Sequence, residues 1–263
     1  MRLAASLEGP AAAPVLVLGN SLGTTLAVWG PQVAALRQHF RLLRYEHRGH
    51  GSGGDGTAGW SPAPAGPYAI DELGRDVLAM LDAHGIERAL YCGISLGGMV
   101  GMWLAANAPD RIAGLGLCCT SAFLPPAAMW AERAAQVRSA GMRSVVDQSL
   151  RRWFTPAFRS AEPATIRAFG RSLEGITAEG YAGCCEAIAG MDLRAALRSI
   201  GVPTLVIAGA EDQATPPWHG AVIASGIRNS RLIVVRGASH LANVAAAGQV
   251  TTALVGHLQA ACA

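Results

Sequence analysis

Short runs of apolar residues alternate with longer helical patterns along most of the chain. Residues 14–19 are apolar, rich in branched side chains and end in Gly, which is how a strand buried on both faces reads. Similar runs lie at 41–45, 89–93, 112–118, 204–209 and 231–235. Between them, 70–84 has the spacing of an amphipathic helix and stops at Gly85, a helix-ending residue. Residues 96–107 are apolar nearly all round, so this helix belongs inside the molecule. Residues 244–258 read as a C-terminal helix. Strands alternating with helices predict an α/β fold with a mostly parallel central sheet flanked by helices.

The alternation breaks between 121 and 199, which shows no convincing strand and carries Trp130, Trp153, Phe154, Phe158 and Tyr181. This stretch predicts a helical cap inserted into a core made of 1–120 and 200–263. The Gly-rich segment 49–56, followed by Pro62, Pro64 and Pro67, predicts a loop. No internal repeat is present.

Composition narrows the function. Apolar residues make up 51% of the 263 and charged residues 15%, so a large packed core is expected and disorder is not. The net charge of +3 comes with no clustered Lys/Arg stripe, which argues against nucleic acid and for a small organic substrate. Glu8 and Pro10 interrupt any signal-peptide core, and no apolar run reaches the roughly 18–20 residues of a membrane span. The expectation is a soluble, cytoplasmic protein with no membrane contact. The six cysteines form no C-x-x-C pair and none has His at zinc-ligand spacing; they read as small buried hydrophobes in a reducing compartment. No metal is expected.

The chemistry enters at Gly93-Ile94-Ser95-Leu96-Gly97. The pattern G-x-S-x-G alone is weak in so Gly-rich a chain. Its place directly after a predicted strand and before a predicted helix gives it meaning: the turn holds Ser95 at the top of the sheet, by the N-terminus of its helix. Such an arrangement takes its acid and then its base from later strand ends. Asp212 follows the strand at 204–209, with Glu211 as rival; the shorter side chain suits a tight turn. His240 follows the last strand, while His219 and His257 fall on helical segments. The backbone N–H groups of Leu96 and Leu22 are the expected donors of an oxyanion hole, with Asn20 fixing the loop or touching substrate. His50, in Arg48-Gly49-His50-Gly51, is expected to order the mouth of the site.

Several strings together resemble the 3-oxoadipate enol-lactonases, members of the α/β-hydrolase fold. They are Asn20-Ser21-Leu22-Gly23-Thr24, Trp29, Arg48-Gly49-His50-Gly51, Gly93 to Met99, Arg152-Trp153-Phe154-Thr155-Pro156, Gly180 to Cys185 and Gly209-Ala210-Glu211-Asp212. The resemblance implies hydrolysis of 3-oxoadipate enol-lactone by Ser95, His240 and Asp212 without a cofactor. The partner it implies is a small lactone carrying a carboxylate, for which Arg133 is the candidate cation and Trp130 the candidate wall. Two features depart from the pattern. Glu46-His47 stands where an Asp-x pair is usual, and the N-terminus looks too short for the first strand. A carboxylesterase, a C–C bond hydrolase or a silenced binding protein would share much of this sequence.

Overall fold

The computed structural model describes residues 2–51 and 60–262, so the predicted loop at 49–56 lies partly outside the described residues; 61–69 carry no regular structure. In chain order the elements are β1 (Ala5–Glu8), β2 (Val15–Gly19), α1 (Gly30–Leu36), β3 (Arg41–Tyr45), α2 (Ile70–Ala83), β4 (Ala89–Ile94), α3 (Leu96–Asn107) and β5 (Ile112–Cys118). Then come α4 (Ala127–Ala140), α5 (Val146–Trp153), α6 (Pro156–Ala161), α7 (Pro163–Glu174) and α8 (Ala178–Ala189). The chain returns to the core with β6 (Thr204–Gly209), α9 (Pro217–Gly226), β7 (Ser230–Val235), α10 (Ala242–Ala245) and α11 (Ala247–Ala260).

The sheet runs β1-β3-β2-β4-β5-β6-β7, with β1 antiparallel to β3 and every other pair parallel. The strand order reverses between β2 and β4, where β2 leads outward to β3 and β4 leads the other way. Parallel sheets leave a crevice at such a reversal, beyond the carboxyl ends of the strands. The loop after β2 and the turn after β4 meet there, with Gly19 opposite Gly93 in the register.

Three expectations are corrected. The N-terminus is long enough for an edge strand: Ala5 to Glu8 pair with Tyr45 to Leu42. This strand is short and half-buried throughout, so it leaves no clean apolar alternation to read. The C-terminal helix is two helices, because Ala246 leaves the helical region, and Asn243 Nδ2 anchors the first of them to the Val28 carbonyl at 2.8 Å. Cys262 is exposed just beyond α11; the other five cysteines are buried and all six are free.

The five helices between β5 and β6 contain no strand. Their breaks follow local chemistry. Thr155 caps α6 by accepting the Phe158 N–H at 3.2 Å, and Pro156 follows at the first helical position, where its missing N–H costs nothing. Phe154, fully buried, stacks on Phe158 and meets Phe169 edge-on. Thr177 caps α8 and donates to the Gly49 carbonyl at 2.9 Å. A Cβ on Gly49 would sit 2.5 Å from the Gly180 Cα, so this helix and the Arg48-Gly49-His50 loop pass closer than side chains would permit.

Candidate active site

Ser95 stands between β4 and α3 with φ 54° and ψ −115°, a conformation that costs energy for any residue but glycine. The motif glycines explain how the turn closes. A Cβ on Gly93 would fall 2.2 Å from the Gly97 backbone, and one on Gly97 would fall 2.4 Å from the Gly19 backbone. Glycine at both positions lets α3 begin against the end of β2, and the Gly97 N–H bonds the Asn20 carbonyl at 2.9 Å. The turn at Ser95 and the loop after β2 are therefore one rigid unit. Leu96 is the first residue of α3, where an N–H has no acceptor inside the helix. Leu22 lines the same cavity as Ser95.

Buried polar groups from the loop after β3 hold the loop after β2 in place. His47 Nε2–H donates to the Asn20 carbonyl at 2.9 Å. His50 Nε2 accepts the Gly23 N–H at 3.1 Å, so its proton sits on Nδ1, bonded to the Arg48 carbonyl. Glu46 accepts from Leu26 N and from Asn20 Nδ2. Its longer side chain reaches the loop from a buried position, so the departure at Glu46-His47 serves to anchor it. Asn20 itself is fully buried, with Nδ2 also bonding the Tyr45 carbonyl at 2.7 Å. It lies beneath the loop and does not line the cavity; as a substrate contact it is corrected to a positioning residue.

Both imidazoles are buried neutral. Burial, opposed in part by the bond to Asn20, lowers His47 from 6.5 to about 4. Burial and the neighbouring His47 lower His50 to about 3. Below pH 6.5 the unfolded chain takes up protons that the native state refuses, so stability falls as pH drops toward those native values. Each imidazole contributes a slope of up to about 1.4 kcal/mol per pH unit. Urea unfolding should show a clearly lower midpoint near pH 5 than near pH 7, with a shallower dependence in His47→Gln. Equal midpoints at the two pH values would contradict two buried neutral imidazoles.

Asp212, just past β6, is held before it meets its partner. Its Oδ1 accepts the Ala214 N–H at 2.8 Å and the Thr215 N–H at 3.0 Å, and its Oδ2 accepts the Thr215 hydroxyl at 2.9 Å. His240 Nδ1–H donates to Oδ2 at 2.8 Å, since a carboxylate can only accept. Burial works against the charge, but the imidazole and the Thr215 donors outweigh it and keep the carboxyl below its ordinary value. Glu211 is exposed, and its side chain makes no hydrogen bond to His240. His219 bonds Ser121 at 2.7 Å in the first turn of α9, and His257 bonds the Leu115 carbonyl at 2.9 Å from α11. Both are structural placements. Thr215 was not foreseen; the pattern Asp212-Gln213-Ala214-Thr215, a carboxylate bonding backbone two and three residues on, is its signal.

Ser95 and His240 open on one cavity of about 50 Å³. The helices between β5 and β6 roof it with Trp130, Arg133, Ser149, Arg152, Trp153 and Tyr181. Trp130 forms a wall, its indole N–H tied to the Leu124 carbonyl at 3.0 Å. Arg133 is buried, and its guanidinium is held by the Tyr181 hydroxyl at 2.7 Å, Gln148 at 2.9 Å and Ser149 at 2.7 Å. Ser149, Arg152 and Trp153 share one face of α5 at i, i+3 and i+4 spacing and together line the cavity. No cluster of His, Cys, Asp or Glu able to hold a metal occurs among the described residues, and no helix there is long and apolar enough to cross a membrane.

The sheet and its order are those of the α/β-hydrolase fold, and residues 14–246 match the family model of the alpha/beta hydrolase fold. The chain is 41% identical over 236 residues to 3-oxoadipate enol-lactonase 2 of Acinetobacter baylyi, covering 90% of this chain and 85% of that one. It is 35% identical to 3-oxoadipate enol-lactonase 1 of the same organism, covering 92% and 87%. The crystal structure of the enol-lactonase from Burkholderia xenovorans superposes with a TM-score of 0.93 at 41% identity, covering 98% of this chain and 96% of that one. The chain belongs to the 3-oxoadipate enol-lactonase family.

Proposed function

We propose that the protein hydrolyses 3-oxoadipate enol-lactone to 3-oxoadipate, a step in the breakdown of aromatic acids, with Ser95 as nucleophile, His240 as base and Asp212 as the residue that orients it. The observation that carries this reading is the cavity. It joins Ser95 to an imidazole whose Nδ1–H is already bonded to a carboxylate, and the charged residues lining it are two arginines, with no Asp or Glu. A neutral acyl substrate has no use for that positive charge, whereas a lactone bearing a carboxylate does.

In the reaction, Ser95 Oγ attacks the lactone carbonyl as His240 Nε2 takes its proton. The tetrahedral oxyanion is met by the Leu22 and Leu96 N–H groups, each worth about 3–4 kcal/mol in the transition state. The ring C–O bond breaks, and the enolate that leaves receives the proton from His240. The resulting enol tautomerises to a ketone, which makes ring opening hard to reverse. Water, deprotonated by His240, then attacks the acyl-Ser95 carbonyl; the C–O bond to Ser95 breaks as His240 returns the proton to Ser95 Oγ, and the second carboxylate is freed. Asp212 holds the imidazole tautomer and stabilises its charged form throughout.

The test supplies freshly generated enol-lactone and follows its loss. Purified protein should consume it at tens per second or faster, in the ordinary enzyme range of about 1–10³ per second. Turnover of simple phenyl esters with none of the enol-lactone would reject this substrate while leaving the esterase chemistry standing.

A further inference from the structure

Arg133 and Arg152 approach the same cavity in different conditions. The Arg133 guanidinium spends three of its N–H groups on neutral neighbours. Arg152, half-buried in the last turn of α5, makes no side-chain hydrogen bond or ion pair with any described residue. A cation at a helix C-terminus is favoured by the helix dipole, and that alone would account for an arginine on an open surface. Here the residue lines a cavity beside a second, fixed positive charge, and no carboxylate lines that cavity. Burial and the neighbouring Arg133 both work against the charge on Arg152, the arrangement expected where an anion is to arrive.

The backbone of Arg152 is tied to the catalytic base. The Ser239 hydroxyl donates to the Arg152 carbonyl at 2.8 Å, and the Leu241 N–H bonds the Trp153 carbonyl at 3.1 Å. These residues flank His240 on both sides. The end of α5 is thus fastened to the loop that carries the imidazole by one side-chain and one main-chain hydrogen bond.

We infer that Arg152 is the direct ligand of the substrate's carboxylate, with Arg133 as a fixed second charge behind it, so that the cavity selects acyl compounds bearing a carboxylate a set distance from the reacting carbonyl. The inference deepens the proposed function and rests on it. It widens the substrate class to monoesters of short dicarboxylic acids and makes short dicarboxylates competitive inhibitors.

The experiment compares Arg152→Gln and Arg152→Lys with the native protein on mono-4-nitrophenyl adipate and glutarate, which carry the carboxylate, and on 4-nitrophenyl butyrate, which does not. Loss of a charge-assisted contact should cost Arg152→Gln about 10- to 150-fold in kcat/KM on the anionic esters, mostly through KM. The neutral ester should change by less than about threefold, a difference a merely structural role would not produce. Arg152→Lys should recover part of the loss, and inhibition by glutarate should weaken in parallel in Arg152→Gln. Equal losses on anionic and neutral esters, or no loss on either, would overturn the assignment. These esters report on Arg152 whether or not the enol-lactone proves to be a substrate, so the two readings fail separately.

Discussion

Replacing Ser95 with Ala should abolish turnover of the enol-lactone, lowering kcat by about 10⁵- to 10⁶-fold while the protein stays folded. The size follows from the loss of the covalent route. Without the hydroxyl no acyl intermediate forms, and what remains is whatever the oxyanion donors and substrate positioning can give to a direct attack by water. The fold should tolerate the change. Ser95 sits at a positive φ, which Ala accepts no worse than Ser, and its backbone N–H and carbonyl bonds to Cys118 and Thr120 are untouched. Binding of a dicarboxylate product should therefore survive in Ser95→Ala. Retention of even a hundredth of the native rate would exclude Ser95 as the nucleophile.

The second large effect is expected at Asp212. Asp212→Asn should lower kcat by about 10⁴-fold with little change in KM. The carboxylate accepts from Ala214, Thr215 and His240 at once, and it fixes the imidazole with its proton on Nδ1 and a lone pair on Nε2. An amide nitrogen in place of Oδ2 would donate to Nδ1 and force the proton to Nε2, leaving no base for the hydroxyl. The control is Glu211→Gln. That side chain is exposed, and its removal should leave kcat within about twofold. If Glu211→Gln carried the larger loss, the choice of acid would be reversed.

The candidate residues Ser95, Asp212 and His240 stood out because each lies just past an apolar run whose pattern marks a buried strand. Chain order then proposes nucleophile, acid and base. Those runs became β2 to β7, and the all-apolar helix became α3. The features that escaped had no apolar signature. Strand β1 is four residues long and half-buried throughout, and α1 is a seven-residue helix entered at Pro31. The helices between β5 and β6 were recognised as helical, but their packing was not, because their apolar residues face both the core and the cavity. That is why Arg133 alone stood out as the candidate cation and Arg152 passed as part of a motif string. Burial and the hydrogen bonds around Arg133 separate the two roles. The same limit applied to Asn20, whose residue type suits a substrate contact but whose side chain turns inward to Tyr45 and Glu46.

Everything proposed about the chemistry requires a hydroxyl at residue 95 made nucleophilic by the imidazole at 240. Treatment with a fluorophosphonate and intact-mass measurement reads this directly. A single adduct per chain, mapped to the peptide containing Ser95 and formed at least a thousandfold more slowly in His240→Ala, is the expected result. An active protein that takes up no adduct, or that carries it on another residue, would contradict the account.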